Sequence, residues 1–265
     1  MNAELSLALH LADAADAITA ARFRAPGLQV DTKPDQSVVT EADLAVERAL
    51  RDILARERPA HGIAGEEFGT AGNSDWRWYL DPIDGTINYA RGIPVWATLI
   101  ALRENDEPVC AVVSAPGLHR RWWASRGEGA HSRESGRIQV SSAATLEEAY
   151  LSTTDARDFD GLGLGDGYRS LAARCHDVRA FGDFWTHMLV AEGVIDLGPE
   201  PLAKPWDLAA PQLIVEEAGG TFTDLAGRRR IDSGNALSSN ALLHPAALAE
   251  LTGKPRLQGR IQEPG

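Results

Sequence analysis

The stretch Asp81-Pro82-Ile83-Asp84-Gly85-Thr86 sets two carboxylates three residues apart, behind the apolar run Trp76-Arg77-Trp78-Tyr79-Leu80. That run reads as a buried strand, and a proline-braced turn at its end would let both carboxylates converge on one point. Converging carboxylates with room for water suit a hard cation such as Mg²⁺, whose preferred ligands are oxygens. Gly85 lets the backbone come close to a ligand, and Thr86 can open a helix whose free N–H groups suit a phosphate. Taken alone, Asp84-Gly85 is an ordinary turn with a helix cap. Two more acidic segments change the weighing. Gly65-Glu66-Glu67 follows the apolar Ile63-Ala64, so a strand can deliver Glu66 from its end, although paired glutamates are more often a solvated edge. Trp206-Asp207 puts an acid at a helix start, where its commonest use is an N-cap. The expectation of a metal site rests on four carboxylates at element ends, none of which suffices alone.

The net charge of −12 agrees with this reading. It repels nucleic acid and anionic membranes, and no Lys/Arg cluster reverses it locally. Arg228-Arg229-Arg230, the densest basic run, reads as a solvated turn. An anionic substrate would therefore need something other than the chain's own charge to attract it, and a bound divalent cation would serve. A zinc hydrolase is disfavoured, because the seven histidines show no ligand spacing. His119, His176 and His187 read as ordinary surface or core residues. Cys110 and Cys175 form no C-x-x-C pair and read as reduced thiols of a cytoplasmic protein. The stretch Val95–Leu102 is too short to cross a bilayer, and Met1-Asn2-Ala3-Glu4 shows no secretory signal.

The elements that must position these residues follow from periodicity. Leu5 to Phe23 is helical and ends at Pro26-Gly27; Thr40-Glu41-Ala42-Asp43 is a capping-box pattern opening a second helix that Pro59 closes. Val95–Leu102, Val109–Ser114 and Arg121–Ala124 read as an antiparallel meander. Asp155 to Gly167, rich in Gly and Asp, reads as an exposed loop. Val178–Gly182 is an expected strand and Phe184–Gly193 a helix. A further helix runs from Asp207 to Ala218, then strands at Thr221–Asp224 and Ala236–Ser239 and a last helix at Pro245–Leu251. Helices and strands alternate as an α/β (α+β) layered sandwich in one unit over 1–255, with a polar tail at 256–265.

Glu66-Glu67 with the preceding Gly65, Asp81-Pro82-Ile83-Asp84-Gly85-Thr86 with Asn88, and Trp206-Asp207 with Glu217-Ala218-Gly219-Gly220 resemble the inositol monophosphatase family from Lys33 to the last helix. Ile93-Pro94-Val95-Trp96-Ala97, Arg120–Ala124 and Gly182-Asp183-Phe184 are most similar to the histidinol-phosphatases of actinobacteria within that family. The resemblance implies a Mg²⁺-dependent phosphomonoesterase, acting on a small phosphorylated metabolite with two or three Mg²⁺ per site, and a homodimer. It implies that Glu66, Asp81 and the Ile83 carbonyl hold one ion, and that Asp81, Asp84 and Asp207 hold another. Asp43 and Thr86 would orient the attacking water, with Glu66 the third catalytic candidate and Lys33 and Glu67 in support. Ile83, Asp84, Gly85, Thr86, Asp183, Glu200 and Asp207 would face the substrate. Asp183 also reads as an N-cap of the helix from Phe184, and Trp185 as core. Ile87 and Tyr89 depart from the family pattern without removing a metal ligand. Histidinol phosphate is the favoured substrate, ahead of inositol-1-phosphate or a broader range of sugar or nucleotide phosphates. A non-catalytic binding protein on the same fold is the rival from another class, and the loss of a metal carboxylate would signal it.

Overall fold

A computed structural model describes residues 3–253; the expected tail at 256–265 lies outside them. The chain begins α1 (Ala3–Arg22), β1 (Val30–Thr32), β2 (Val38–Thr40), α2 (Glu41–Glu57), β3 (Gly62–Gly65), β4 (Gly69–Ala71), β5 (Trp76–Asp84) and α3 (Thr86–Ala90). It continues through β6 (Ala97–Glu104), β7 (Glu107–Ala115), β8 (Arg120–Ser125), β9 (Gly129–Ser132), β10 (Gly136–Arg137) and β11 (Tyr150–Ser152). Then follow α4 (Asp158–Gly161), α5 (Gly165–Arg174), β12 (Asp177–Arg179), α6 (Asp183–Ala191), β13 (Leu197–Glu200), α7 (Pro205–Glu217), β14 (Gly220–Thr223), β15 (Ala236–Asn240) and α8 (His244–Thr252).

An eight-stranded sheet has the order β10-β9-β8-β7-β6-β5-β3-β4, a five-stranded sheet the order β12-β11-β13-β15-β14, and β1-β2 form a small hairpin. The large sheet is buried on both faces, and its central strands sort their side chains with period two. On β6 and β7, Leu99, Ala101, Ala111 and Val113 face one core, while Ile100, Leu102, Cys110 and Val112 face another. The second core is closed by α1 and α2 through Leu11, Ala15, Val46 and Leu50. The first is closed by α6 and α7, which also pack on the small sheet through Phe222 and Ala236. Ala97, Ala101, Ala111 and Ala124 on the sheet meet Ala209 and Ala210 on α7, so small side chains bring helix and sheet close together. A third core joins the far face of the small sheet to α5 and α8 through Leu151, Leu171, Leu237 and Leu251. The result is five alternating layers, helix–sheet–helix–sheet–helix, in agreement with the layered sandwich expected from the sequence.

Three expectations are corrected. Asp155 to Gly167 is not an open loop, because Phe159 of α4 is fully buried and stacks on Tyr168 of α5, 4.4 Å away. One aromatic anchor outweighs the turn-forming composition around it. Val95 stands before β6, its carbonyl accepting from Asn88 Nδ2 at 2.9 Å instead of from a neighbouring strand. Val178–Gly182 is strand only to Arg179, and the Phe181 N–H goes to Ser152 Oγ at 3.1 Å.

Candidate active site

The two aspartates of the hexapeptide remain on strand β5 and do not leave it through a turn, as the sequence had suggested. Residues three apart on a regular strand point to opposite faces. Here Asp81 pairs with Leu99 and Asp84 with Ala97, so β5 carries one more residue than β6 between those pairs. This β-bulge restores the parity and turns both carboxylates toward α6 and α7. Pro82 has no N–H to lose from the ladder, and its carbonyl accepts from Thr98 Oγ1 at 2.7 Å. Asp207, in the first turn of α7, reaches the same point. An oxygen from each of Asp81, Asp84 and Asp207 lies within 4.8 Å of the others.

Each of the three acids is only partly satisfied. Asp207 Oδ2 accepts from the Lys204 N–H at 2.7 Å, so it caps its own helix while facing the cluster. Asp84 Oδ2 accepts from the Phe184 N–H at 2.6 Å and caps α6. Asp81 Oδ1 is buried and has no hydrogen-bond partner. Burial first, and then the neighbouring carboxylates, hold Asp81, Asp84 and Asp207 well above the usual carboxylate range. Crowded carboxylates with an orphaned oxygen fit a hard divalent cation, which would supply the missing charge.

Glu66 is close but differently engaged. Lys33 Nζ lies 2.8 Å from Glu66 Oε1 and 2.7 Å from Glu67 Oε1. Burial favours the neutral amine, but the two glutamates outweigh it and raise Lys33 above its ordinary range. Burial also pushes Glu67 up to about 7 in spite of that partner. The loop carrying both glutamates is pinned from behind by the fully buried Glu47, which accepts from the Glu67 N–H at 2.6 Å and the Phe68 N–H at 3.2 Å. Glu47 leaves no room for a side chain at position 65: a Cβ on Gly65 would lie 2.0 Å from Glu47 Oε1.

Asp43 closes the capping box of α2, Oδ2 accepting from the Thr40 N–H at 2.9 Å and from its hydroxyl at 2.5 Å. Its other oxygen lies 3.1 Å from Thr86 Oγ1, which is also 2.8 Å from the Ile83 carbonyl. Burial, with the Glu66 charge added, raises Asp43 to about 6. Gly85 has φ of +81°, and a Cβ there would stand 3.0 Å from the Val95 carbonyl and 3.3 Å from Asp183 Oδ2. The helix after it, α3, is five residues long.

Beside the aspartates opens a cavity of about 200 Å³, lined among others by Thr154, Asp158, Asp183, His187 and Glu200. Asp183 is not the cap expected from its position. It is the first residue of α6, with φ of +48°, and Asp84 does the capping. Its Oδ2 lies 3.3 Å from Asn88 Nδ2, and its N–H donates to Thr154 Oγ1 at 2.8 Å. The same hydroxyl donates to Glu200 Oε2 at 2.6 Å. Burial raises Glu200 to about 8. Trp185 packs on Phe181 at 5.3 Å, as a core residue would. Sequence reading passed over Thr154 and Asp158 and treated His187 as ordinary. For His187 a signal existed, since it stands four residues after Asp183 on the same face of a helix. For Thr154 none did, because its partners lie 29 and 46 residues away.

Comparison with known proteins places this geometry in a lineage. Residues 2–257 match the inositol monophosphatase family. A histidinol-phosphatase of Streptomyces coelicolor is 50% identical over 94% of this chain and 96% of its own. One of Mycobacterium tuberculosis is 48% identical over 94% and 97%. Among solved structures, an inositol monophosphatase from Zymomonas mobilis superposes with a TM-score of 0.85 at 33% identity, covering 95% of this chain and all of the other (100%).

Proposed function

Because the chain belongs to the inositol monophosphatase family and is a phosphomonoesterase, we propose that it hydrolyses L-histidinol phosphate to L-histidinol and phosphate, in histidine biosynthesis, with Mg²⁺ at the acidic cluster. The observation carrying this reading is the cavity that joins Asp84 and Asp207 to a second acidic end formed by Asp183 and Glu200. One end suits cations and the phosphoryl group they attract; the other suits the ammonium and imidazole of histidinol.

Asp81, Asp84 and Asp207 would hold one ion, and Glu66, Asp81 and the Ile83 carbonyl another. Bound there, divalent ions would neutralise the phosphoryl group, acidify the attacking water and stabilise the departing oxygen. The chain's own residues supply position. Thr40 holds Asp43 in place, and Thr86 has one hydroxyl hydrogen for two acceptors, the Ile83 carbonyl at 2.8 Å and Asp43 at 3.1 Å, so its oxygen keeps a lone pair free to orient a water. The positive φ of Gly85 brings the backbone against the phosphate side of the site without a side chain in the way. Lys33 balances Glu66 and Glu67, keeping two adjacent carboxylates together at the rim. Asp183 and Glu200 would pair with the cationic groups of the substrate by charge-assisted hydrogen bonds.

The test is a panel of phosphomonoesters assayed with Mg²⁺: L-histidinol phosphate, inositol-1-phosphate and ethyl phosphate. The expected result is a kcat/KM at least ~10-fold higher for histidinol phosphate, the scale of one well-formed charged hydrogen bond. A preference for inositol-1-phosphate would overturn the substrate and leave the phosphatase.

A further inference from the structure

His187 plays no part in the scheme above, yet it lines the cavity with Asp183 and Glu200. It is only 2% exposed. One ring nitrogen is used inside the protein: Nδ1 lies 2.8 Å from Ser238 Oγ. Ser238 decides which nitrogen carries hydrogen. Its hydroxyl is 3.3 Å from the Gly198 carbonyl, which can only accept. The one assignment that satisfies both contacts sends the serine hydrogen to Gly198 and has the serine oxygen accept from Nδ1–H. Nε2 is left as a bare lone pair, and among the described residues it has no hydrogen-bond partner. Burial pulls His187 down to about 4, so the ring is neutral near pH 7.

The neighbouring groups have the same polarity. Thr154 has already given its one hydrogen to Glu200 and receives the Asp183 N–H. Asp183 offers oxygens, and Glu200, which burial raises to about 8 and so keeps protonated near pH 7, offers both of its own once a cationic ligand draws that proton off. This end of the cavity thus presents acceptors and asks its ligand for hydrogens.

We propose that His187 is a specificity-determining residue: its Nε2 accepts a hydrogen bond from an N–H of the substrate, completing with Asp183 and Glu200 a subsite for a nitrogenous, cationic leaving group. This rests on the cavity being the substrate site of the phosphatase. A polyol can also donate, but its hydroxyl oxygens need donors in return, and neither the His187 lone pair nor the Asp183 carboxylate is one. An ammonium or an azole N–H meets no such mismatch. Discrimination arises because an unmatched buried polar group forfeits its hydration without replacement.

The experiment compares His187→Phe, which keeps a ring and removes the lone pair, with His187→Gln, whose amide oxygen can return an acceptor near the same place. With Mg²⁺, KM for L-histidinol phosphate should rise roughly 5- to 10-fold in the Phe variant with kcat within about 2-fold, the scale of one hydrogen bond lost equally from ground and transition states. Ethyl phosphate, which reaches only the phosphate end, should be turned over within about 2-fold of wild type. His187→Gln should recover most of the loss. Ser238→Ala frees the ring to present N–H instead, should give a smaller loss on the same substrate, and decides the matter if the Phe variant does not fold. Equal losses on both substrates, or none on either, would overturn the proposal. A wild type without preference for histidinol phosphate would refute the substrate reading instead, whereas a preference that survives both substitutions overturns only the role of His187.

Discussion

The cavity has two acidic ends, and they are built in opposite ways. At the β5 end, Asp81, Asp84 and Asp207 crowd their oxygens within 4.8 Å, and one buried oxygen has no partner. At the α6–β13 end, Glu200 and Asp183 each accept from a donor, Thr154 Oγ1 for the first and Asn88 Nδ2 for the second, and the Asp183 N–H donates in turn to Thr154 Oγ1. Like charges left facing one another describe a place that is unfinished until a cation arrives. Carboxylates steadied one at a time describe a surface already shaped for a ligand. Acidic composition alone does not distinguish the two; hydrogen-bond partners do.

Substitutions can break that contrast or sharpen it, and the largest effect belongs to the crowded end. Asp81→Asn should lower kcat/KM by at least ~10³-fold, the several kcal/mol of charge stabilisation that a divalent ion provides, and EDTA should silence the wild type. The same substitution should raise the melting temperature in EDTA by about 2–4 °C, the scale of 1 kcal/mol in a chain of this size. A lower melting temperature would mean that Asp81 is a structural group and not a source of repulsion.

Next come the residues that orient water. Thr86→Ala and Asp43→Asn should each reduce kcat ~10²-fold, as for a positioned proton-transfer group, with the double variant hardly worse than either single one. Additive losses would show that the pair does not act as a unit. At the steadied end, Asp183→Asn with Glu200→Gln should cut kcat/KM on histidinol phosphate at least ~10-fold and leave ethyl phosphate nearly unchanged. Asn tolerates the positive φ at position 183, so the change removes charge without disturbing the backbone. A matching loss on ethyl phosphate would merge the two ends into one.

The smallest effect is a slope. Burial raises Glu67 to about 7 and Glu200 to about 8, against roughly 4.3 for an unfolded glutamate. Both bind protons more tightly when folded, so their stability is present at low pH and lost as pH rises through those values. Burial lowers His187 and His244 to about 4, and their contribution is complete above about 6.5, the unfolded value. Between pH 6.5 and 8.5 the metal-free melting temperature should therefore fall, and Glu200→Gln should flatten the fall. A scan in EDTA showing no decline in wild type would contradict these burials.

The alternation of helices and strands was readable because the central strands are short apolar runs separated by turn residues, and a helix opening such as Thr40–Asp43 carries its own signature. The convergence of Asp81 and Asp84 was readable as a consequence, but its cause was not: a bulge exists only relative to the register of β6, which no local pattern encodes. Asp183 looked like a cap because position alone was visible, whereas the true cap, Asp84, lies 100 residues away. The short α4 was hidden for a related reason, its buried Phe159 being a single residue in a polar stretch. Local chemistry was legible in this chain; the partners that steady it came from distant segments.

The contact from Asp84 Oδ2 to the Phe184 N–H ties one of the crowded carboxylates to the first turn of α6. Whatever draws charge from that oxygen also weakens the grip on the amide, so the helix start registers what happens on β5. The backbone amide of Phe184 is in that sense a gauge wired into the site. Its NMR frequency should move on Mg²⁺ titration while amides in α8, in the outermost layer, stay still, giving an occupancy signal that needs no turnover.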